Sequence, residues 1–249
     1  MPIEPTSSLP AKIGSPPSIE VILSSNMNPE RPGWGRLLIS ADGERVVNAV
    51  YALSNFSAET AVQVLKQEER VNTMEVEIDR DLSSIIARRQ PTARDLRLLI
   101  AVSKTIANLE RIGDEAARIA RTVQRLINTG VSSRLRLPVN DLAYESELAI
   151  AQLRKALDAF ARLDIVKAVE VLKQDDQIDQ EFDGLMRKLI TYMMEDPRTI
   201  SSSIDLIFVA KAIERVGDHA KNLAEVIIYV VKGTDVRHNS VETVESMVQ

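Results

Sequence analysis

Two hexapeptides, LERIGD at Leu109–Asp114 and IERVGD at Ile213–Asp218, each place a glutamate and an aspartate four residues apart. On a helix that spacing points both carboxylates from one face. Acidic or amide side chains stand at a similar pitch upstream of each copy. They are Glu68, Asn72, Glu75 and Asp79 before Glu110 and Asp114, and Asp175, Asp179 and Asp183 before Glu214 and Asp218. If the acidic faces of neighbouring helices meet, they repel unless a cation lies between them. The chemistry these residues could do is therefore ligation of a metal ion. The chain has no cysteine, so the donors are all oxygen, a set that suits Mg, Mn, Ca or ferric iron and disfavours structural zinc or copper. Lys211 and Lys221, three residues to either side of the second pair, offer those carboxylates another use as salt-bridge partners.

Other chemistry finds little support. The only histidines are His219 and His238, the first expected on the outward side of the last helix and the second in the tail. Neither pairs with a Ser or Cys nucleophile. Carboxylate-bridged di-iron sites use Glu-x-x-His on core-facing helices, and Val216 and Asp235 stand where those glutamates would be. Neither a Walker loop nor a G-x-G-x-x-G is present. A non-enzymatic reading is preferred, with a carboxylate-bridged helical metalloenzyme and a metal-free helical scaffold as alternatives.

The acidic pairs need long helices to hold them, and the rest of the chain supplies the pattern. Of its 10 prolines, all but Pro91, Pro138 and Pro197 fall in the first 43 residues, together with four of the 9 glycines. That stretch reads as a disordered or aberrant N-terminal segment, the product of a shifted reading frame, a mis-assigned start or a fused tail. From Glu44 the order is a short helix to Asn55, a helix capped by Ser57 running to about Gln90, and a third opened by a capping box at Thr92–Asp95 and ending near Asn128. After Pro138 the order repeats: a helix to about Leu163, one capped by Asp164 reaching Glu195, and one opened at Ser202–Asp205 and stopped by Gly233. Residues 44–130 and 131–236 thus form two three-helix units, leaving a tail at 237–249. The duplication carries its packing seam with it. Leu99, Val102, Ile106, Leu109, Gly113, Ala116, Ala120, Val123 and Ile127 step by 3 and 4 alternately. Adding 104 gives Ser203, Leu206, Ala210, Ile213, Gly217, Ala220, Ala224, Ile227 and Val231. Both motif glycines lie on this seam, where a missing side chain would admit a neighbouring backbone.

Composition sets the remaining bounds. In a chain of 249 residues, a net charge of -5 without a basic patch argues against a nucleic-acid surface. No stretch reaches the roughly 18 apolar residues of a membrane span, and no signal-peptide pattern is present. A cytoplasmic protein with no direct membrane insertion is expected.

The pair LERIGDEAARIA and IERVGDHAKNLAE, with MEVEIDRDLSSIIARRQPTARDLRLL ahead of the first and LDAFARLDIVKAV and LITYMMEDPRTI ahead of the second, resembles the PhoU family of phosphate transport accessory proteins over about Val46 to His238. The resemblance implies an all-α fold of two tandem antiparallel three-helix bundles, with the first helix truncated here. It implies a homodimer that binds Mg, Mn or Fe ions through its Glu-x-x-x-Asp motifs. It further implies a negative regulator of the phosphate regulon, with the phosphate ABC transporter ATPase and a sensor histidine kinase as partners. Carried over to this sequence, the metal residues are Glu110, Asp114, Glu214 and Asp218, joined by Asp175 and Asp179 and, as the weaker match, Glu68 and Asn72.

Overall fold

The structure is a computed structural model that describes residues 34–130 and 138–248. Seven α-helices are present among the described residues: α1 Trp34–Asn55, α2 Ala58–Arg89, α3 Ala93–Asn128, α4 Val139–Arg162, α5 Ile165–Glu195, α6 Ile200–Lys232 and α7 Val241–Val248. A 3-10 turn at Pro197–Thr199 precedes α6. No strand occurs among the described residues. Helices α1–α3 form one antiparallel three-helix bundle and α4–α6 the other. The two are joined mainly by α3 packing along α6, with α1 also touching α4. One continuous apolar core runs through both.

Local signals explain most boundaries. The Ser57 hydroxyl accepts from the Thr60 amide at 3.3 Å to open α2, and the Asp164 carboxylate accepts from the Lys167 amide at 3.1 Å to open α5. Gly233 closes α6 in the left-handed region at φ 77°, its N–H donating to Tyr229 O at 2.9 Å. Thr92 stands at the N-cap of α3 but makes no side-chain cap bond, so the expected capping box is not formed. The last long helix starts at Ile200, two residues before the expected Ser202. The reason is that Asp196 caps the 3-10 turn around Pro197, which leads directly into the helix.

The first helix begins at Trp34, ten residues ahead of the expected Glu44, and takes in Gly35 and Gly43. Each glycine costs roughly 1 kcal/mol of propensity, and burial offsets it: Val46, Ala49, Ala52 and Leu53 are all 2 % exposed or less. With 22 residues, α1 comes close to the 24 of its counterpart α4. Residues 1–33 of the expected disordered segment lie outside the described residues. In the expected tail, α7 packs on α5 through Val244, buried at 1 %, and through a Lys173–Glu245 bridge of 2.7 Å.

Along both seams the predicted positions are buried, except that Ile127 is half-buried and Val231 is 37 % exposed at the frayed end of the pattern. Gly217 has a different use from the expected one. A Cβ there would meet Ile178 Cδ1 at 2.9 Å and Gln152 Oε1 at 3.0 Å, so the glycine makes room for two side chains and not for a backbone.

Candidate metal centres

The two Glu-x-x-x-Asp pairs come from the middle of α3 and α6, where an unbroken helix holds both carboxylates on the flank beside the buried seam. In the first bundle Glu110 is half-buried and Asp114 exposed. Burial raises the Glu110 carboxyl above its usual range, and the charges of Asp114 and Glu75 raise it further. Burial likewise raises Glu75, with Asp79 and Asp114 adding to it. The acidic partners that α2 presents are thus Glu75 and Asp79. Glu68 is taken up elsewhere: both its oxygens accept from the Arg121 guanidinium at 2.9 Å. Asn72 is exposed. Of the eight positions carried over from the sequence, Glu68 is thus paired outside the group around Glu110.

In the second bundle all four expected positions come together. Burial pushes Asp218 up to about 6, with Glu214, Asp175 and Asp179 adding to it and Lys211 opposing them. Asp179 is raised by burial, Asp175 and Glu214, against Lys221. The two lysines are engaged as the sequence allowed: Lys211 Nζ lies 2.6 Å from Glu214 Oε1, and Lys221 Nζ 2.5 Å from Asp175 Oδ2. Ion pairing therefore accounts for one oxygen of each. Glu214 Oε2 is buried without a hydrogen-bond partner.

One buried carboxylate escaped the motif reading. Glu145 on α4 is 1 % exposed, and neither of its oxygens has a hydrogen-bond partner. Burial pushes its carboxyl up to about 8, with the charges of Glu214 and Glu181 raising it further. The sequence did hold a signal for it. Leu142, Glu145, Ala149, Gln152, Ala156 and Ala159 step by 3 and 4 along α4, so a glutamate occupies a seam position.

His219 also departs from its expected outward position. It is half-buried between α3 and α6, with Nδ1 3.1 Å from Asn108 Oδ1. Burial lowers its pKa to about 4, helped by Arg111 and Arg215. An open groove runs here between α3 and α6, and Asp114 and Asp218 both line it, together with Arg111, Arg118 and Arg215. The aspartate of each acidic pair therefore borders one surface. Among the described residues, no three acidic or histidine side chains are already closed into a geometry that would hold a metal ion. No helix among them is long and apolar enough to cross a membrane.

Comparison with known proteins gives the same duplication. A family model described as the PhoU domain matches residues 42–123 and again residues 144–227. A phosphate-specific transport system accessory protein PhoU homolog from Burkholderia sp is 48% identical over 198 residues, covering 80% of this chain and 84% of that protein. The crystal structure of PhoU from Pseudomonas aeruginosa superposes with a TM-score of 0.75 at 41% identity, over 81% of this chain and 95% of that one. The phosphate transport system regulatory protein PhoU from Streptococcus pneumoniae gives 0.72 at 26% identity, over 82% and 92%.

Proposed function

Because the chain belongs to the PhoU family, we propose that it is a regulatory accessory protein of phosphate-specific transport and not an enzyme. The observation that carries this reading is likeness over both bundles, at high coverage, to proteins named for that role. It acts in the cytoplasm as a homodimer and negative regulator, contacting the phosphate transporter's ATPase and a sensor histidine kinase so that ample phosphate keeps the response off.

The acidic faces supply the means. Hard cations such as Mg, Mn or Fe are held in the first bundle by Glu110 and Asp114 with Glu75 and Asp79, and in the second by Glu214 and Asp218 with Asp175 and Asp179. The donor chemistry fits such ions, and the unpartnered Glu214 Oε2 supports the fit. Since Asp114 and Asp218 border the same groove, cation occupancy changes the charge of one extended surface, which is how it would bias partner docking.

The test is a pull-down with the tagged protein from lysates of cells grown in high and low phosphate. Recovery of the transporter ATPase or the kinase, changing with phosphate, is expected; recovery of neither in both conditions would overturn the adaptor reading. The site assignment has its own check in elemental analysis of the natively purified protein. Changing Glu214 and Asp218 together to Ala lowers bound metal, and unchanged stoichiometry would remove that assignment.

A further inference from the structure

The second bundle contains a carboxylate that nothing in its motif accounts for. Glu145 lies on the inner face of α4, 1 % exposed, with two oxygens that accept no hydrogen bond. Its charged neighbours are Glu214 of α6 and Glu181 of α5, both acidic. Glu214 is itself buried at 9 % exposure, and its Oε2 is unpartnered. Two turns along the same face of α4, Gln152 Oε1 is a further buried acceptor without a donor, although its amide nitrogen donates to Val171 O at 3.2 Å.

The unmet oxygens of Glu145, Glu214 and Gln152 are acceptors once the carboxyls are ionised. A buried polar atom without a partner costs about 1–3 kcal/mol, more when charged, so several acceptors clustered in one interior ask for a shared electropositive partner. Lys211 is spent on Glu214 Oε1 and leaves Oε2 and both Glu145 oxygens unserved. A bound water could donate to two of them but would not relieve the repulsion between the carboxylates.

We propose that Glu145 is an inner ligand of the second centre, holding a hard divalent cation together with Glu214 and Glu181. This rests on the metal-binding reading above and adds to it a ligand from a third helix. Without the cation the carboxylates stand apart, and with it Glu145 and Glu214 close on one ion, fastening α4 to α6. The first bundle lacks the counterpart. The buried residues Val46, Ala49, Ala52 and Leu53 of α1 correspond to Leu153, Ala156, Ala159 and Phe160 of α4 by a shift of 107, since 46 + 107 = 153. The residue corresponding to Glu145 is then 145 - 107 = 38, a leucine. The two centres therefore differ in kind, with the second tied into the bundle interior.

The experiment is Mn2+ titration by calorimetry, with thermal melts with and without Mn2+, on the full chain and on Glu145→Gln. In the variant, Mn2+ affinity at the tighter site is expected to fall at least about tenfold, and the rise in Tm on adding Mn2+ to shrink accordingly. A variant that keeps wild-type affinity and the wild-type Tm rise overturns the proposal while leaving the metal reading intact. A wild-type protein that binds no Mn2+ overturns both. Glu145→Leu guards against a mere packing effect. If that variant is more stable without metal yet binds Mn2+ as tightly as wild type, Glu145 is only a costly buried acid and the proposal falls.

Discussion

The same six-residue motif meets two environments. In the first bundle Asp114 is exposed, no lysine among the described residues bridges the pair, and the opposing acids are Glu75 and Asp79. In the second, Glu214 is buried, Lys211 and Lys221 hold one oxygen each of Glu214 and Asp175, and Glu145 presses in from α4. The apolar half of the motif behaves identically in both copies: Leu109 and Ile213, its first residues, are 1 % and 2 % exposed. A duplicated helix thus preserves its seam, which packs against similar neighbours, while its charged flank takes on whatever the adjoining helices present.

The seam should show the symmetry most strongly. Leu109→Ala and Ile213→Ala each remove a buried side chain and are expected to cost about 2–5 kcal/mol in urea unfolding. If one proves near-neutral, the two cores are not equivalent.

The pH dependence should show the asymmetry. Asp218 and Glu145 have carboxyls pushed up to about 6 and about 8, from their ordinary 3.8 and 4.5. An acid with a raised folded pKa contributes stability that is fully present below its unfolded pKa and lost as pH rises through the folded one. The metal-free protein therefore loses stability between about pH 4 and 8. Each unit of such a shift is worth about 1.4 kcal/mol before solvent screening is discounted, and the Glu145 share is lost last as pH rises. Urea midpoints across that range check it, and Glu145→Gln should flatten the upper part of the curve. A profile unchanged in that variant would show that Glu145 does not distinguish the bundles.

Gly217→Val is expected to cost about 1–3 kcal/mol, because the new side chain must displace Ile178 and Gln152. A melting temperature equal to wild type would mean that α4 and α5 can retreat there. The smallest effect belongs to the exposed charges of the first bundle. Breaking the Arg121–Glu68 pair by Glu68→Gln should cost no more than about 1 kcal/mol and leave metal content unchanged. Lost metal would return Glu68 to the ligand set.

Much of this was legible in the chain. The caps at Ser57 and Asp164, the stop at Gly233 and the end of α5 at Glu195 follow from signals within a few residues. Tertiary packing overrode local rules at α1, where Gly35 and Gly43 are carried by a helix whose later turns are buried. At α6 the cause is local: the 3-10 turn that Asp196 caps around Pro197 starts the helix early.

What the sequence by itself determined is whatever repeats at the helical period: two copies of three helices, a seam stepping by 3 and 4, and acidic pairs on its flank. That follows because a helix fixes which of its own residues share a face. Only the tertiary structure decided which faces meet. The register of α2 against α3 puts Glu75 beside Glu110. The packing of α3 on α6 turns His219 inward against Asn108. The closure of α4 over α6 brings Glu145 near a carboxylate 69 positions away, from 214 - 145. Such meetings depend on side-chain shape across whole helices, so no local pattern around LERIGD or IERVGD could show that two nearly identical motifs sit in different electrostatic surroundings.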